Sequence, residues 1–319
     1  MAIGIASNLP RRAEKAVAFA CDGNYLKYAL FAATQLAALA PERDFDICIC
    51  STEALAPPAG ALEGLRFCQV RIDASFAGLN LDRRRTEATY LRLALPEAFA
   101  AEYRRLLYLD SDVFLQGGDF SALLDLDLGP HAIAAVRDNS QWRTPGRRID
   151  SFAKMGLPAT PYFNAGVLLI DVAAYNSHAI RDHAFAFARA HPGKLIHMDQ
   201  DMLNGAVMGA WAELSPVWNW QYTWASRLFE AMVGANVVHF IGRKKPWNHI
   251  EGELPLRFRH TYRDFLAAHF PDAAPLDDDG VPPQRNRAFL RKSLGKHLLA
   301  AGKMCDYLDR FPEELTVIR

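Results

Sequence analysis

Hydrophobic positions in this chain fall into short continuous runs separated by longer stretches with helical spacing. The run at 15–21 has strand length and ends in the polar turn Asp22-Gly23-Asn24-Tyr25. Leu26, Ala29, Leu30, Ala33, Leu36 and Ala37 then recur three and four apart, which predicts a helix with one buried face that stops before Pro41. Strand-length runs follow at 45–51 and 66–72, separated by a Pro- and Gly-bearing turn at 56–60. The same criteria predict a helix within 79–95, a strand ending at Leu109, a strand at 131–136 and a buried strand within 161–171. Helices at 180–190 and from 199 towards Gly209, a last strand leading into a basic loop within 235–247, and a helix at 255–270 complete the series. The polar start through Glu14 predicts no element. Residues 139–160 are polar and carry Arg143, Arg147 and Arg148, with Arg137 just before them; they read as a surface excursion that helps cover a site. Strands alternating with helices imply an α/β fold on a doubly wound, mostly parallel sheet.

The end of the chain has a different pattern. Residues 273–284, with three consecutive aspartates and Pro282-Pro283, read as a linker between a domain at 1–272 and a tail at 285–319. From Arg285 to Lys303 the tail holds six Lys or Arg residues and no acid, while Phe289, Leu290, Leu294, Leu298, Ala301 and Cys305 keep helical spacing. Such a basic amphipathic helix suits either an anionic membrane face or docking onto the domain.

Composition narrows the function. Lys plus Arg and Asp plus Glu both number 36, so no global charge favours nucleic acid, and electrostatic function must be local. The five cysteines form no CxxC pair, and Cys48 and Cys50 lie in an apolar run; buried, reduced thiols in a reducing compartment are expected. No run has the apolar length of a secretory signal core or a spanning helix, which makes a cytoplasmic location the expectation.

The candidate chemistry starts where the apolar run Leu106-Leu107-Tyr108-Leu109 ends in Asp110-Ser111-Asp112. Side chains two apart on an extended segment point the same way, so the two carboxylates can share one hard divalent cation, magnesium or manganese. Arg83 and Arg85 read as solvated surface, whereas Arg92, among apolar neighbours one element earlier, can face a phosphate or carboxylate. Asn164-Ala165-Gly166 opens a buried strand with small residues, either as a bend or to let a ligand approach the backbone. Asp199 is placed to cap a helix, and Gln200 has no such structural role. His239 stands beside a strand end, the usual place of a satisfied structural histidine. Gly242, Lys244 and Lys245 offer backbone N–H groups and cations to a diphosphate.

Together, the blocks Phe19-Ala20-Cys21-Asp22-Gly23-Asn24-Tyr25, Leu107-Tyr108-Leu109-Asp110-Ser111-Asp112, Tyr162-Phe163-Asn164-Ala165-Gly166-Val167, Asp199-Gln200-Asp201 and His239-Phe240-Ile241-Gly242-Arg243-Lys244-Lys245-Pro246-Trp247 resemble retaining glycosyltransferase family 8 across roughly 15–250. That family includes bacterial lipopolysaccharide galactosyl- and glucosyltransferases and glycogenin. The resemblance implies a GT-A type fold, a UDP-galactose or UDP-glucose donor, Mn²⁺ or Mg²⁺, a glycan or glycolipid acceptor and retention at the anomeric carbon. By the same resemblance Ala20, Asp22, Asn24 and Tyr25 hold the uridine and ribose. Asp110, Ser111 and Asp112 belong to the donor site, with Asp110, Asp112 and His239 as metal ligands. Gly242 and Lys245 hold the diphosphate, and Arg92, Asn164, Ala165, Asp199 and Gln200 the sugar. The Asp22-Gly23-Asn24 turn departs from relatives that often carry a second aspartate or another polar residue there.

Leaving-group chemistry assigns Lys245 and the metal a catalytic role, because charge develops on the diphosphate. Gln200 is a poor nucleophile, which favours attack from the leaving-group side; Asp138 and Asp199 are the alternative nucleophiles. Other expectations to weigh are a self-glucosylating protein of the glycogenin kind, a silent nucleotide-sugar-binding module, and a nucleotidyltransferase that leaves four of the five blocks unexplained. Neither the sugar nor the acceptor follows from the sequence. Peripheral contact with the inner membrane face follows only if the tail binds lipid.

Overall fold

The computed structural model describes residues 3–55, 63–72, 76, 87–272, 276 and 280–319. The turn at 56–60, Arg83 to Arg85 and half of the expected linker at 273–284, namely 273–275 and 277–279, lie outside them. Twelve strands are described: β1 (Gly4–Ser7), β2 (Lys15–Ala20), β3 (Asp46–Ser51), β4 (Arg66–Arg71), β5 (Arg105–Leu109), β6 (Val113–Leu115), β7 (Ile133–Arg137), β8 (Phe163–Asp171), β9 (Ala212–Leu214), β10 (Trp220–Gln221), β11 (Val237–His239) and β12 (Val317–Ile318). Nine of them form one sheet in the order β1-β4-β3-β2-β5-β8-β7-β9-β12, and β10-β11-β6 form a second.

The pleat of the large sheet sorts its residues onto two cores. Val17, Phe19, Ile47, Ile49, Leu107 and Leu109 face one way, into a core shared with helices Leu26–Leu39 and Leu256–His269. Ala16, Ala18, Cys48, Cys50, Leu106 and Tyr108 face the other, against helices Glu87–Ala98, Ile180–Ala190 and Asp199–Val207. Coverage on both faces is why β2 and β3 read as unbroken apolar runs rather than alternating ones. The expected α/β architecture with helices on both faces is present.

The sheet is mixed where alternation alone suggested mostly parallel pairing. β2 pairs in parallel with β3 and β5, and β3 with β4, but β8 runs antiparallel to both β5 and β7. That reversal puts the start of β8 beside the carboxyl end of β5, where Asp110 N–H donates to the Gly166 carbonyl at 2.8 Å. The start of the chain is also more ordered than its polarity suggested: Gly4–Ser7 pairs antiparallel with β4 as a half-exposed edge.

The 139–160 excursion contains helices Asn139–Trp142 and Asp150–Met155, and buries Trp142 and Phe152. Arg137, grouped with its arginines, is buried and ion-paired with Glu213 at 2.6 Å. The tail forms helix Arg287–Leu308, and Met304 and Tyr307 pack inward, Tyr307 stacking on Trp142 at 5.6 Å. β12 then pairs with β9. All five cysteines are free, four of them buried.

Candidate active site

β5 stops at Leu109, so Asp110, Ser111 and Asp112 occupy the link to β6. β6 pairs with β11 so that His239 lies opposite Val113, next to Asp112, and Phe240 N–H donates to the Asp112 carbonyl at 3.1 Å. The ligand atoms of Asp110, Asp112 and His239 all lie within 4.8 Å of one another. His239 Nε2 is 3.6 Å from Asp110 Oδ2 and 3.2 Å from Asp112 Oδ1. Each carboxylate gives its other oxygen to a cation: Arg92 Nη2 reaches Asp110 Oδ1 at 2.7 Å, and Lys245 Nζ pairs with Asp112 Oδ2. Two carboxylate oxygens and one imidazole nitrogen therefore converge, a donor set that fits a hard or borderline divalent ion. Burial opposes ionisation of Asp112, but Lys245 and His239 outweigh it and hold the group below the usual carboxylate range.

The convergence needs Gly166. A Cβ there would lie 2.1 Å from His239 Cε1 and 2.9 Å from Asp110 Oδ2. The small residue at the start of β8 makes room for the imidazole.

Arg92 is the hub of the inner face. Its guanidinium also pairs with Asp199 at 2.8 Å, donates to the Ala165 carbonyl at 2.6 Å and lies over the Tyr108 ring at 4.6 Å. Tyr108 O–H donates to Asp110 Oδ1 at 2.7 Å. Asp199 does not cap its helix. Met198 holds that position with φ 46°, a left-handed conformation costly for a side chain of its kind, and Asp199 becomes the first helical residue, turned to Arg92. Burial pushes Asp199 up to about 6, with Arg92 opposing and Asp110 assisting.

Helix Asp199–Val207 is bolted to the start of β8. Asn204 Oδ1 accepts from Phe163 N–H at 2.9 Å while its amide donates to the Phe163 carbonyl at 3.0 Å. Fully buried Asp201 accepts from Ser151 and Tyr162 hydroxyls and from the Ile196 and His197 N–H groups. These contacts bring Gln200 to Asn164 and Ala165. Gln200 Oε1 accepts from Asn164 Nδ2 at 3.2 Å and Ala165 N–H at 3.0 Å, and its amide approaches Tyr162 O–H at 3.3 Å and Asp138 Oδ2 at 3.5 Å. Asp138 caps helix Asn139–Trp142 through Oδ1, which also accepts from the Ser140 hydroxyl at 2.6 Å.

A cavity of about 630 Å³ opens in front of this cluster, lined by Ala20, Asp22, Asn24, Tyr25, Arg92, Asp110, Ser111, Asp112, Gly242 and Lys245. Asn164, Ala165, Asp199, Gln200 and His239 stand behind that lining. Gly242 has φ 80°, a conformation that suits glycine and turns the basic loop over the cavity. Tyr108, Thr89 and Asn248 also line it and were not singled out from the sequence. Tyr108 shares the pleat direction of Asp110, so alternation could have found it. Cys21 lines it too, and burial pushes its thiol up to about 12, leaving it protonated. A separate cavity of about 710 Å³ lies beneath the tail helix, around Arg227, Glu230 and Phe289, and holds none of these groups.

The sequence model described as Glycosyl transferase family 8 matches residues 16–251. The chain belongs to glycosyltransferase family 8. Among curated relatives, this family 8 member is 31% identical over 195 residues to General stress protein A of Bacillus subtilis, covering 56% of this chain and 63% of the relative. It is 30% identical over 178 residues to the lipopolysaccharide 1,3-galactosyltransferase of Salmonella typhimurium, covering 54% and 52%. The chain thus spans between about half and two thirds of the length of these relatives. A crystal structure of the galactosyltransferase LgtC, in complex with donor and acceptor sugar analogues, matches 80% of this chain and 96% of that one, at 25% identity and a TM-score of 0.63. The family 8 fold here is accordingly of the GT-A type. Among the described residues, no helix is long and apolar enough to cross a membrane.

Proposed function

We propose that this family 8 chain transfers galactose or glucose from a UDP-sugar to a glycan or glycolipid acceptor, with retention at the anomeric carbon, in the synthesis of lipopolysaccharide or another cell-surface glycan. The observation that carries this reading is the convergence of Asp110 and Asp112, on the wall of a cavity also lined by Lys245 and Gly242, with His239 directly behind them. In this reading Ala20, Asp22, Asn24 and Tyr25 hold the uridine and ribose, with Ser111 beside them. Ser111 O–H donates to the Ala20 carbonyl at 3.3 Å, which links the nucleoside wall to the acidic turn. Asp110, Asp112 and His239 would hold a manganese or magnesium ion, which would supply positive charge for the diphosphate.

Lys245 Nζ bonds to Asp112 and to the Phe240 carbonyl. A diphosphate at the cavity rim offers it a stronger anionic partner, and the Gly242 loop adds backbone donors. Arg92, Asn164, Ala165, Asp199 and Gln200 form the sugar end. The carbonyl oxygen of Gln200 already accepts from two N–H groups, so its lone pairs are engaged rather than free for attack. Asp199 is held by Arg92, and Asp138 Oδ1 by Ser140. These constraints favour attack of the acceptor hydroxyl on the leaving-group side. The bond from the anomeric carbon to the β-phosphate oxygen breaks, the acceptor oxygen bonds to that carbon, and its proton passes to the departing phosphate. Outward-facing Leu294, Leu298 and Leu299, with exposed Arg291 and Lys292, suit peripheral contact with an anionic membrane on its cytoplasmic side.

Thermal unfolding with a panel of nucleotide sugars, with and without Mn²⁺, tests the reading. A ligand at about a hundred times its dissociation constant adds roughly 2.7 kcal/mol. One UDP-hexose should raise the midpoint only with Mn²⁺, and the Asp110→Asn, Asp112→Asn double variant should lose the shift. A panel that leaves the midpoint unmoved refutes the donor assignment.

A further inference from the structure

A buried amide side chain has one end that donates and one that accepts, and at this site two backbone N–H groups decide which is which. Gly166 N–H donates to Asn164 Oδ1 at 3.0 Å, and Ala165 N–H donates to Gln200 Oε1 at 3.0 Å. A backbone N–H can only donate, so both contacted atoms are oxygens. The Asn164 oxygen lies 2.9 Å from the Asn219 side chain, which must present its NH₂ there. The Asn219 oxygen is then the atom 2.9 Å from His239 Nδ1, and an amide oxygen can only accept. Nδ1 therefore carries the hydrogen, and Nε2 is the nitrogen turned to Asp110 and Asp112. The other end agrees, because the Asn164 NH₂ meets the Gln200 oxygen at 3.2 Å. One donor-to-acceptor direction runs from His239 through Asn219 and Asn164 to Gln200.

We propose that Asn219 is the positioning residue of this centre: it holds His239 in the Nδ1–H tautomer, leaving Nε2 for a divalent cation, and through Asn164 it orients the Gln200 amide. The role towards metal and sugar rests on the glycosyltransferase reading, whereas the tautomer does not. Asn219 is 0% exposed at the end of the 3₁₀ turn Pro216–Asn219, and β10, which follows it, pairs with β11 so that Gln221 lies opposite His239. A backbone ladder thus fixes the distance between the amide and the imidazole. A partner that fixes the free nitrogen of a ligating histidine sets both its orientation and its basicity. Sharing that partner with the sugar-facing amide prevents the two from shifting independently.

In isotope-labelled protein at about pH 8, long-range proton–nitrogen correlation spectra taken with UDP and diamagnetic Mg²⁺ report which ring nitrogen carries the hydrogen. The His239→Gln variant identifies the His239 signal among the ten histidines. A hydrogen on Nδ1 is expected, and an Nδ1 without hydrogen overturns the proposal whatever the state of Nε2, in a readout that needs no turnover. Mn²⁺ binding in the presence of UDP, followed by the paramagnetic resonance of free Mn²⁺, is then compared between variants. Asn219→Leu is expected to weaken Mn²⁺ binding about ten- to a hundredfold. Asn219→Asp keeps an acceptor for His239 and is expected to restore most of that affinity, while its lost bond to Asn164 lowers kcat at saturating Mn²⁺. If Asn219→Leu does not fold, the Asp variant and the wild-type tautomer still decide. A folded Asn219→Leu with wild-type Mn²⁺ affinity overturns the proposal and leaves the glycosyltransferase reading standing. Wild-type protein that binds no Mn²⁺ overturns the metal site itself and with it this role for Asn219.

Discussion

Arg92 is 8% exposed and faces two carboxylates, Asp110 and Asp199, that would otherwise repel each other across the site. Burial alone would weaken its charge, yet the two acids raise its pKa and keep it cationic. Arg92→Leu should therefore cost about 3–5 kcal/mol in urea unfolding, because it leaves buried Asp199 without its cation. Arg92→Lys should recover only part of this, since an ammonium cannot span Asp110, Asp199 and the Ala165 carbonyl as a planar fork does. The acidic pair and the arginine were legible in the sequence because their types and spacing carry the chemistry. Asn219 was not: a lone amide between Trp218 and Trp220 has no pattern, and its meaning comes from partners 20 and 55 positions away. Asp199 was legible both as a helix cap and, through the family resemblance, as a sugar-side residue; the backbone turn at Met198 that decides against the cap leaves no mark in composition.

Among elements, β8 does the most to assemble the site. Its antiparallel course delivers Asn164, Ala165 and Gly166 to the end of β5, and its glycine leaves space for an imbidazole ring from β11. In Gly166→Ala the new methyl would collide with His239 and Asp110, an overpacking expected to cost about 1–3 kcal/mol. Displacing His239 by about an ångström should lower turnover roughly a hundredfold, while circular dichroism stays native. Retained activity in Gly166→Ala would show that the ring has other room. Strand and helix positions could be read from periodicity, since a pleat or a helix repeats locally. The direction of β8 could not, because the same apolar run satisfies a parallel or an antiparallel neighbour. Short edges such as β1 and β12 escaped for a related reason: too few residues, too little burial and no alternation.

Across the whole molecule, Glu213 fastens the tail to the domain. This buried carboxylate accepts from Arg137 at 2.6 Å, Arg310 at 2.9 Å and Tyr307 O–H at 3.1 Å, joining β7 and β9 to the last helix and the segment after it. Burial would raise its pKa, but the two arginines win and lower it from the ordinary 4.5. The unfolded chain then takes up the proton first as pH falls. The stabilisation is complete above pH 4.5 and is lost as pH drops through the lowered folded value. Unfolding midpoints measured against pH should show this acid limb, and Glu213→Gln should flatten it while lowering stability at neutral pH. An unchanged limb in that variant would assign acid sensitivity elsewhere. The tail's inward face docks, then, while Leu298 and Leu299 remain outward at 79% and 89% exposed. What the sequence by itself determined is the α/β class, most element positions, the family and the residues of the acidic, amide and basic blocks, because these depend on local periodicity and residue chemistry. The tertiary structure alone decided strand direction, the pairing of Arg92 with Asp199, the hydrogen bonds of Asn219 to Asn164 and His239, and the anchoring of the tail. Each of those joins groups far apart in the chain, where local pattern carries no information about which partner packing will supply.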